Sequence, residues 1–325
     1  MPHTPVLASE GPEVALEEVI VKHLHRLAAG AAMVVFVAAC SGPGASGAAS
    51  QGASAAPSSA PSTAASAGPT EEVIAPPTSL VTPGTLTACV DIEYSPMEFF
   101  ASADETDPNK ATGFDVDAAR AVAAKLGLKL EIKNTGFDAL IPDLQAGRCD
   151  VVWSALYVNA DRLKVADAVP YMATGHVILV TKGNPKAIKA VGDLCGKTIS
   201  IQNGGLVETD SKKASDDCVA GGKPAITIQG YAKVADEFQQ IVLGRVDAIW
   251  ETDTAVSDWL LKHPDEYEVG FAFPHDKNYG VYYGKGKTDI GTALTAALAA
   301  LKADGTLASI AALYQMDPGT LDTVQ

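Results

Sequence analysis

The sequence predicts an α/β fold built as two similar lobes. Its 325 residues are enough for two ordinary domains, and a hydrophobic content of 47% is enough for a sizeable core. After Gly84, short β-rich runs alternate with runs that have helical spacing, which is typical of α/β proteins. The same strand–helix–strand–helix–strand unit occurs twice, and this repetition indicates two lobes of similar construction.

The first unit begins after Gly84. In its first helix, apolar residues recur at helical spacing from Val116 to Leu126, and Gly127 ends the helix. The predicted elements are, in order, a strand at residues 85–90, a helix at 115–126, a strand at 129–133, a helix at 137–146 and a strand at 150–154.

The second unit has the same order of elements. Its predicted elements are a strand at residues 197–202, a helix at 207–220, a strand at 225–229, a helix at 232–243 and a strand at 247–250. Strands at 175–181 and 280–283 are expected to cross between the lobes, and a helix at 291–303 to pack back on the first. The expected boundaries are 84–180 for lobe 1, 181–274 for lobe 2 and 275–325 for the return to lobe 1. A ligand is expected in the cleft at the carboxyl ends of the strands.

The N-terminal segment has the composition of an export signal. Residues 27–39 (LAAGAAMVVFVAA) form an apolar run after a basic flank that contains Lys22 and Arg26. The run ends at VAAC, which resembles the lipobox of bacterial lipoproteins and implies a signal peptide at 1–39 and lipidation of Cys40. Residues 40–83 are then a linker rich in Ala, Ser, Gly and Pro, since no charged residue occurs from Ser41 to Thr70. The alternative is a buried apolar segment that ends in an incidental cysteine.

The charge balance and the distribution of apolar residues each exclude one functional class. The chain carries 39 acidic and 24 basic side chains, a formal net charge of −15, so it has no surplus of cations to neutralise nucleic-acid phosphates. Only one apolar run is long enough to be considered as a membrane segment. The sequence therefore excludes a transporter with several membrane spans.

Four cysteines remain after Cys40. An even number in an exported chain favours disulfides over free thiols, and no Cys-x-x-Cys pair is present to support a metal site. Their order along the chain predicts one bridge in each lobe, Cys89–Cys149 in the first and Cys195–Cys218 in the second.

Several short motifs carry a resemblance to a known family. They are YSPMEF at residues 94–99, GFDVD at 113–117, FDALIP at 137–142, AGRCD at 146–150, ADR at 160–162, DLCGK at 193–197, GRVDA at 244–248 and LKADGT at 301–306. In this order and spacing, the chain resembles the family-3 extracellular solute-binding proteins, the polar amino-acid receptors of bacterial ABC importers. The resemblance implies a type II periplasmic-binding-protein fold with two crossover strands and a solute bound between the lobes.

The resemblance also implies roles for individual residues. Arg162, eight residues after Ser154, corresponds to the arginine that binds the ligand α-carboxylate, and a guanidinium can hold a carboxylate through two hydrogen bonds. The alternative for Arg162 is a surface ion pair with Asp161 or Asp167. Tyr94 and Phe137 correspond to aromatic walls around the ligand side chain, although Phe137 fits a core position equally well.

An acidic set lies at the strand ends of both lobes: Asp91, Glu93, Glu251 and Asp253. The resemblance implies that one acidic residue of lobe 2 pairs with the ligand ammonium, with Asp253 and Glu251 as the two alternatives. It also implies that an aspartate of the first strand meets the distal end of the ligand. The alternative is a solvated acidic loop.

Two positions depart from the family pattern. Tyr157 stands where the family has a small hydroxyl residue, after Ser154 and Ala155, and the loop of lobe 2 contains Gly205 and Leu206 without the usual threonine. Backbone N–H groups at Tyr157, Gly205 and Leu206 remain able to bind a carboxylate. The departures favour a bulkier or modified amine, such as a basic amino acid, an opine or a betaine.

The resemblance implies a monomeric receptor anchored to the membrane by its lipid, with an ABC permease and its ATPase as partners and no nucleic acid, metal or other cofactor. The first alternative is a sensory lipoprotein that uses the same cleft. The second is an enzyme such as a dehydratase or a murein-cleaving enzyme, in which Glu93 or Glu251 would be the acid. The sequence contains no nucleophile elbow, metal-ligand pair or Gly-rich phosphate loop.

Overall fold

The computed structural model of the chain describes residues 74–324, which form two five-stranded mixed sheets flanked by helices. The predicted two-lobed α/β architecture is therefore confirmed. The predicted signal segment at 1–39, the predicted lipidation site Cys40 and the part of the linker before residue 74 lie outside the described residues.

The elements are numbered in chain order. The strands are β1 (Thr85–Val90), β2 (Lys129–Asn134), β3 (Val151–Val152), β4 (Ala166–Thr174), β5 (His176–Thr181), β6 (Thr198–Gln202), β7 (Thr227–Tyr231), β8 (Ala248–Thr252), β9 (Tyr267–Ala272) and β10 (Lys277–Gly284). The helices are α1 (Phe114–Lys125), α2 (Leu140–Gln145), α3 (Arg162–Val165), α4 (Leu206–Ala220), α5 (Val234–Val242), α6 (Asp253–Lys262), α7 (Thr288–Ala303) and α8 (Thr306–Leu313).

Lobe 1 is a sheet in the order β2–β1–β3–β10–β4. Strand β1 pairs in parallel with β2 and β3, whereas β10 is antiparallel to β3 and β4. Because side chains alternate along a strand, Leu86, Ala88 and Val90 enter the core formed with α1 and α7, and Cys89 enters a smaller core formed with α2. The sheet is thus covered by helices on both faces.

Lobe 2 repeats this pattern in the order β7–β6–β8–β5–β9. Strand β6 is parallel to β7 and β8, and β5 is antiparallel to β8 and β9. Helix α4 packs on one face of the sheet, while α5 and α6 contribute to the core on the other face. The structural unit that the sequence predicts twice is therefore found once in each lobe.

The predicted crossover strands need a correction. Strand β5, predicted at 175–181 as a crossing strand, lies wholly in the second sheet between β8 and β9, because its side chains belong to the core of lobe 2. Residues 280–283 likewise lie inside β10 of the first sheet. The chain actually passes between the sheets at Gly175 and at residues 273–276.

The helix predicted at residues 137–146 is split. A 3-10 turn, Phe137–Ala139, precedes α2, because Pro142 has no N–H to donate to a carbonyl four residues earlier. The strand predicted at 150–154 is also shorter and ends at Val152, since Ser154 leaves the ladder to bond with other residues of the cleft.

Five elements were not predicted from the sequence: α3, β4, α6, β9 and α8. Strand β4 interrupts its apolar pattern with Pro170, which is tolerated because β4 lies at the sheet edge and the register with β10 shifts at that point. Among the described residues no single helix is long and apolar enough to cross a membrane; only α7 and α8 taken together meet that test, and they are bent by 76°.

Both predicted disulfides are present. Cys89 on β1 is bonded to Cys149 just before β3, across a sequence separation of 60 residues. Cys195 is bonded to Cys218 on α4, across a separation of 23 residues. Each bridge therefore lies within one lobe and leaves the relative motion of the lobes unconstrained.

Loss of either bridge is expected to destabilise the protein through the entropy of the unfolded chain. Replacing both cysteines of Cys195–Cys218 by serine should cost about 3 kcal/mol, and replacing those of Cys89–Cys149 about 4 kcal/mol, because the second bridge closes a longer loop. Urea unfolding of the two double variants beside the wild type measures these costs. Equal stability of wild type and both variants would contradict a structural role for the bridges.

Candidate functional site

A cavity of about 370 Å³, including the part open to solvent, lies between the two lobes. The residues that line it are Tyr94, Glu98, Phe137, Ser154, Ala155 and Tyr157 from lobe 1, and Gln202, Gly205, Leu206, Val207, Glu251 and Thr252 from lobe 2. The structure thus brings together eight of the twelve residues predicted to bind a ligand. The remaining four, Asp91, Glu93, Arg162 and Asp253, lie outside this lining.

Glu98 forms the acidic part of the lobe 1 wall. It is fully buried, and its Oε1 accepts a hydrogen bond of 2.6 Å from the Ser154 hydroxyl, which itself accepts the N–H of Asp91. Burial, followed by the nearby carboxyl of Asp115, raises the pKa of Glu98 well above its usual range. Glu98 is therefore favoured in its neutral form.

Asp115 lies behind Glu98 at the start of α1. Its carboxyl accepts hydrogen bonds of 2.6 Å from the N–H of Ala155 and from the Tyr171 hydroxyl. Burial raises the pKa of Asp115 to about 7, and the hydrogen bonds oppose this shift. Asp115 fixes the backbone of the chain segment that carries Ser154 and Ala155 into the cavity.

Glu251 is the acidic residue of the lobe 2 wall. Its Oε1 accepts hydrogen bonds from the Tyr94 hydroxyl (2.9 Å) and from the N–H of Thr252 (2.7 Å). Burial raises the pKa of Glu251, and those two bonds act in the opposite direction. Since Tyr94 belongs to lobe 1, the Tyr94–Glu251 bond joins the two lobes directly across the cleft.

A series of hydrogen-bonded hydroxyl groups extends from the Tyr94–Glu251 contact towards the crossovers. Tyr94 also bonds with the Thr252 hydroxyl, which bonds with that of Thr254 at 3.1 Å, and Thr254 contacts the Tyr279 hydroxyl at 3.0 Å. Tyr279 lies on β10 in lobe 1, so a second chain of polar contacts links the lobes beneath the cavity.

Tyr157 contributes its ring rather than its hydroxyl to the cavity. The hydroxyl donates to the carbonyl of Gly175 at 3.1 Å, at the first crossover. Its ring contacts those of Tyr279 and His176, at centroid distances of 5.1 and 5.2 Å. Burial lowers the pKa of His176 to about 4, so this imidazole is neutral near pH 7. The departure at Tyr157 therefore creates an aromatic cluster where a small hydroxyl residue was expected.

Arg162 lies at the rim of the cavity. Its guanidinium donates to the carbonyls of Tyr157 (3.0 Å) and Gly204 (3.4 Å) and lies 5.8 Å from the centre of the Phe137 ring. Neither Asp161 nor Asp167 pairs with it, because these bind Lys164 and Lys285. The alternative of a surface ion pair is therefore absent from this structure, and the guanidinium is directed across the cleft mouth towards lobe 2.

The N-terminus of α4 faces the same rim. Gly205 is its N-cap and Leu206 its first residue, and N–H groups of a first helical turn have no acceptor within the helix. The Phe137 ring lies beside this N-terminus, since a Cβ at Gly205 would be in ordinary van der Waals contact with it at 3.8 Å. No side chain caps this N-terminus, and it lies beside the Arg162 guanidinium, which donates to the Gly204 carbonyl.

Asp91 and Glu93 belong to lobe 1 and lie outside the lining of the cavity. Burial, followed by the charge of Glu93, raises the pKa of Asp91 to about 7, whereas the charge of Lys233 lowers it. Lys233, on lobe 2, lies 3.9 Å from the Glu93 carboxylate. These acids form part of a charged contact between the lobes.

Asp253 occupies a different position from the one expected. Its carboxyl accepts hydrogen bonds from the Thr174 hydroxyl (2.6 Å) and the N–H of Gly175 (3.1 Å), and it lies 3.0 Å from His275 Nε2. Thr174 and Gly175 form the first crossover and His275 belongs to the second. Asp253 thus ties the two crossovers together at the hinge.

Sequence reasoning missed four cavity-lining residues: Glu98, Gln202, Val207 and Thr252. Glu98 was detectable, because it lies inside the motif at residues 94–99 that was already associated with the cleft. Thr252 was considered only as the residue that displaces the expected aspartate. Gln202 and Val207 flank the glycine loop and carry no distinctive signal.

The chain is similar to a known family of proteins. A family model described as bacterial extracellular solute-binding proteins, family 3, matches residues 86–316. The L-cystine-binding protein TcyJ of Escherichia coli (strain K12) is 31% identical over 229 residues, which cover 70% of this chain and 81% of that protein.

Solved structures show the same arrangement of lobes. An ancestral arginine-binding protein bound to arginine has a TM-score of 0.64 and 31% identity, covering 71% of this chain and 98% of that one. An ancestral amino acid-binding protein, described as a precursor of cyclohexadienyl dehydratase, has a TM-score of 0.62 and 29% identity, covering 71% and 95%. The fold predicted from the sequence motifs is confirmed by these structures.

The buried carboxyl of Asp91 predicts a specific pH dependence of stability. Its pKa is about 7 in the folded chain and about 4 when unfolded, so between these values the folded chain binds more protons and stability falls as the pH rises. Asp91→Asn removes this penalty and should stabilise the ligand-free protein by on the order of 2 kcal/mol at about pH 8, with the gain shrinking towards about pH 4.

Urea unfolding at a series of pH values measures this effect. Glu131→Gln, at an exposed position of the neighbouring strand, is the control and should show no such trend. A stability difference between Asp91→Asn and wild type that does not vary with pH would contradict the assignment.

Proposed function

Because the chain belongs to the bacterial extracellular solute-binding proteins, family 3, we propose that it is the lipid-anchored receptor of an ABC importer. It binds an amino acid or a related amine-carboxylate solute in the interlobe cavity and delivers it to a permease. One observation carries the proposal: a single cavity has two buried carboxyl groups on its walls and a guanidinium with free helix N–H groups at its rim. This polarity matches the two charged ends of an amino acid.

The α-carboxylate of the solute is assigned to the rim. Arg162 makes its contacts with neutral groups, the carbonyls of Tyr157 and Gly204 and the Tyr282 hydroxyl, so a carboxylate would replace neutral acceptors by a charged one. The N–H groups of Gly205 and Leu206 add the partial positive charge of a helix N-terminus.

The amine of the solute is assigned to Glu251 rather than to Asp253. Glu251 lines the cavity, whereas both carboxylate oxygens of Asp253 are engaged at the crossovers. Tyr94 and Phe137 supply apolar walls and an aromatic surface that suits a cation. These contacts support a basic amino acid or another cationic amine as the solute.

Capture follows from the two-lobed construction. Tyr94, Phe137 and Arg162 belong to lobe 1, whereas Gly205 and Glu251 belong to lobe 2, so the full set of contacts forms only when the cleft is closed. A solute that makes contacts only in the closed form shifts the population towards it. The closed receptor then docks on its permease, where the partner ATPase supplies the energy for release.

Membrane attachment is assigned to Cys40. The basic flank, the apolar run at residues 27–39 and the following Ala/Ser/Gly/Pro linker support export and lipidation. In a bacterial host, Cys40→Ala should move the protein from the membrane fraction to the soluble fraction. Retention of the variant in the membrane fraction would contradict lipid anchoring through this residue.

Arg162→Ala should weaken solute binding by about 2–5 kcal/mol, because a carboxylate would lose its charged partner in a partly buried site. Affinity is measured by calorimetry against L-arginine, L-lysine, L-ornithine, L-histidine, L-citrulline, L-cystine, opines, choline and betaines. Lys164→Ala is the matched control, since Lys164 lies in the same short helix and is exposed. Unchanged affinity in Arg162→Ala would contradict the carboxylate assignment.

A further inference from the structure

Gln202 is a buried amide that the binding scheme leaves without a role. It is the last residue of β6, it lines the cavity, and only 5% of its surface is exposed. Its Nε2 donates to the Ala232 carbonyl at 3.5 Å, and its Oε1 accepts no hydrogen bond from the part of the chain that the structure describes. Because buried amide oxygens normally have a partner, a solute in the cavity is the group that can supply one.

Gln202 and Glu251 are neighbours in the sheet of lobe 2. Strands β6 and β8 are parallel, and their register pairs Ser200 with Ile249, so two residues further along each strand Gln202 lies beside Glu251. Residues two apart on a strand share a face of the sheet, and paired residues of parallel strands point to the same face. The amide and the carboxyl therefore lie side by side at the end of the sheet that borders the cavity, and both line it.

Glu251 also has an acceptor that is not used. Its Oε1 accepts the Tyr94 hydroxyl and the N–H of Thr252, whereas its Oε2 accepts no hydrogen bond from the described residues and is not fully enclosed by protein. Neighbouring strands are about 4.8 Å apart. Two acceptors that bond to one tetrahedral nitrogen lie about 4.6 Å from each other. The spacing of the strands thus suits a single ammonium that bonds with both side chains.

We propose that Gln202 is a specificity-determining residue, whose Oε1 accepts a second N–H of the solute ammonium while Glu251 accepts the first. The proposal rests on the assignment of the solute amine to Glu251. The solute nitrogen must then carry at least two N–H groups, which primary and secondary ammonium ions have and quaternary ones lack. This narrows the solute to amino acids and opines and excludes choline and the betaines.

The other polar side chains of the lining do not offer a comparable acceptor. The hydroxyls of Ser154, Thr252, Tyr157 and Tyr94 all have partners within the protein. Glu98 Oε2 has no partner among the described residues, but it is fully enclosed by protein and therefore out of reach of a solute. Gln202 Oε1 differs from it, because this atom is not fully enclosed.

The physical reason for the selection is the cost of unpaired acceptors. A nitrogen without N–H groups would cover both oxygens and leave them without a hydrogen bond, and a site built to bond a substrate N–H rejects an analogue that lacks it. The aromatic rings of Tyr94 and Phe137 attract a cation whether or not it is methylated. Discrimination must therefore come from the acceptors.

The test compares compounds that differ only in methylation of the α-nitrogen. Each amino acid of the panel that binds wild type is measured by calorimetry beside its Nα,Nα-dimethyl derivative, whose ammonium keeps a single N–H. Wild type should bind the amino acid at least about tenfold more tightly, because the derivative loses a charged hydrogen bond.

Gln202→Met retains the length of the side chain and removes the amide oxygen. It should weaken binding of the amino acid by about 10- to 100-fold and binding of the dimethyl derivative by less than about threefold, because the derivative has no second N–H to lose. Gln239→Met, the same change at an exposed position of α5, is the matched control and should bind both compounds as wild type does.

Unchanged affinity of Gln202→Met for the amino acid overturns the proposal, and so does an equal loss of affinity for both compounds. Binding of choline, a betaine or the dimethyl derivative by wild type as tightly as the amino acid also overturns it, and this result requires no variant to fold. Failure of wild type to bind any compound of the panel instead contradicts the proposed function itself.

Discussion

The burial of carboxyl groups between two lobes is the constraint on which the rest of this structure depends. Glu98 and Glu251 face one cavity, and within its lining no lysine or arginine compensates them. Because isolated buried charges are costly, these acids must be neutral, shared with a second acid or matched by a bound cation. The hydroxyls of Ser154 and Tyr94 hold both carboxyls in place, so the site is organised before a solute arrives.

The two crossovers determine how this acidic cavity can open and close. Each disulfide lies within a single lobe, and Asp253 connects Thr174 and Gly175 with His275 at the hinge. The polar contacts between the lobes include single hydrogen bonds such as Tyr94–Glu251 and the ion pair between Glu93 and Lys233. A rigid hinge with exchangeable contacts at the cleft allows a solute to shift the balance towards the closed form.

The sequence predicted the architecture because period-two strands, helical spacing and terminal glycines are local signals. The order of the cysteines predicted both disulfides. Most of the cavity lining was predicted through the resemblance of the motifs to a known family. The position of Asp253 could not be predicted, because a shift of one residue at a strand end decides whether a carboxyl faces the cavity or the hinge. The burial of Glu237 on α5 could not be predicted either, since an acidic residue on an amphipathic helix is normally exposed.

The central claim is that the cleft binds a solute and leaves it chemically unchanged. The ancestral neighbour described as a precursor of a dehydratase shows why this needs a direct test, because buried acids also serve as catalysts. The measurement is stoichiometric binding to the full chain, followed by mass spectrometry of the solute after prolonged incubation. We predict one solute per chain, recovered intact. Conversion of the bound solute to a product would contradict the account and identify the protein as an enzyme.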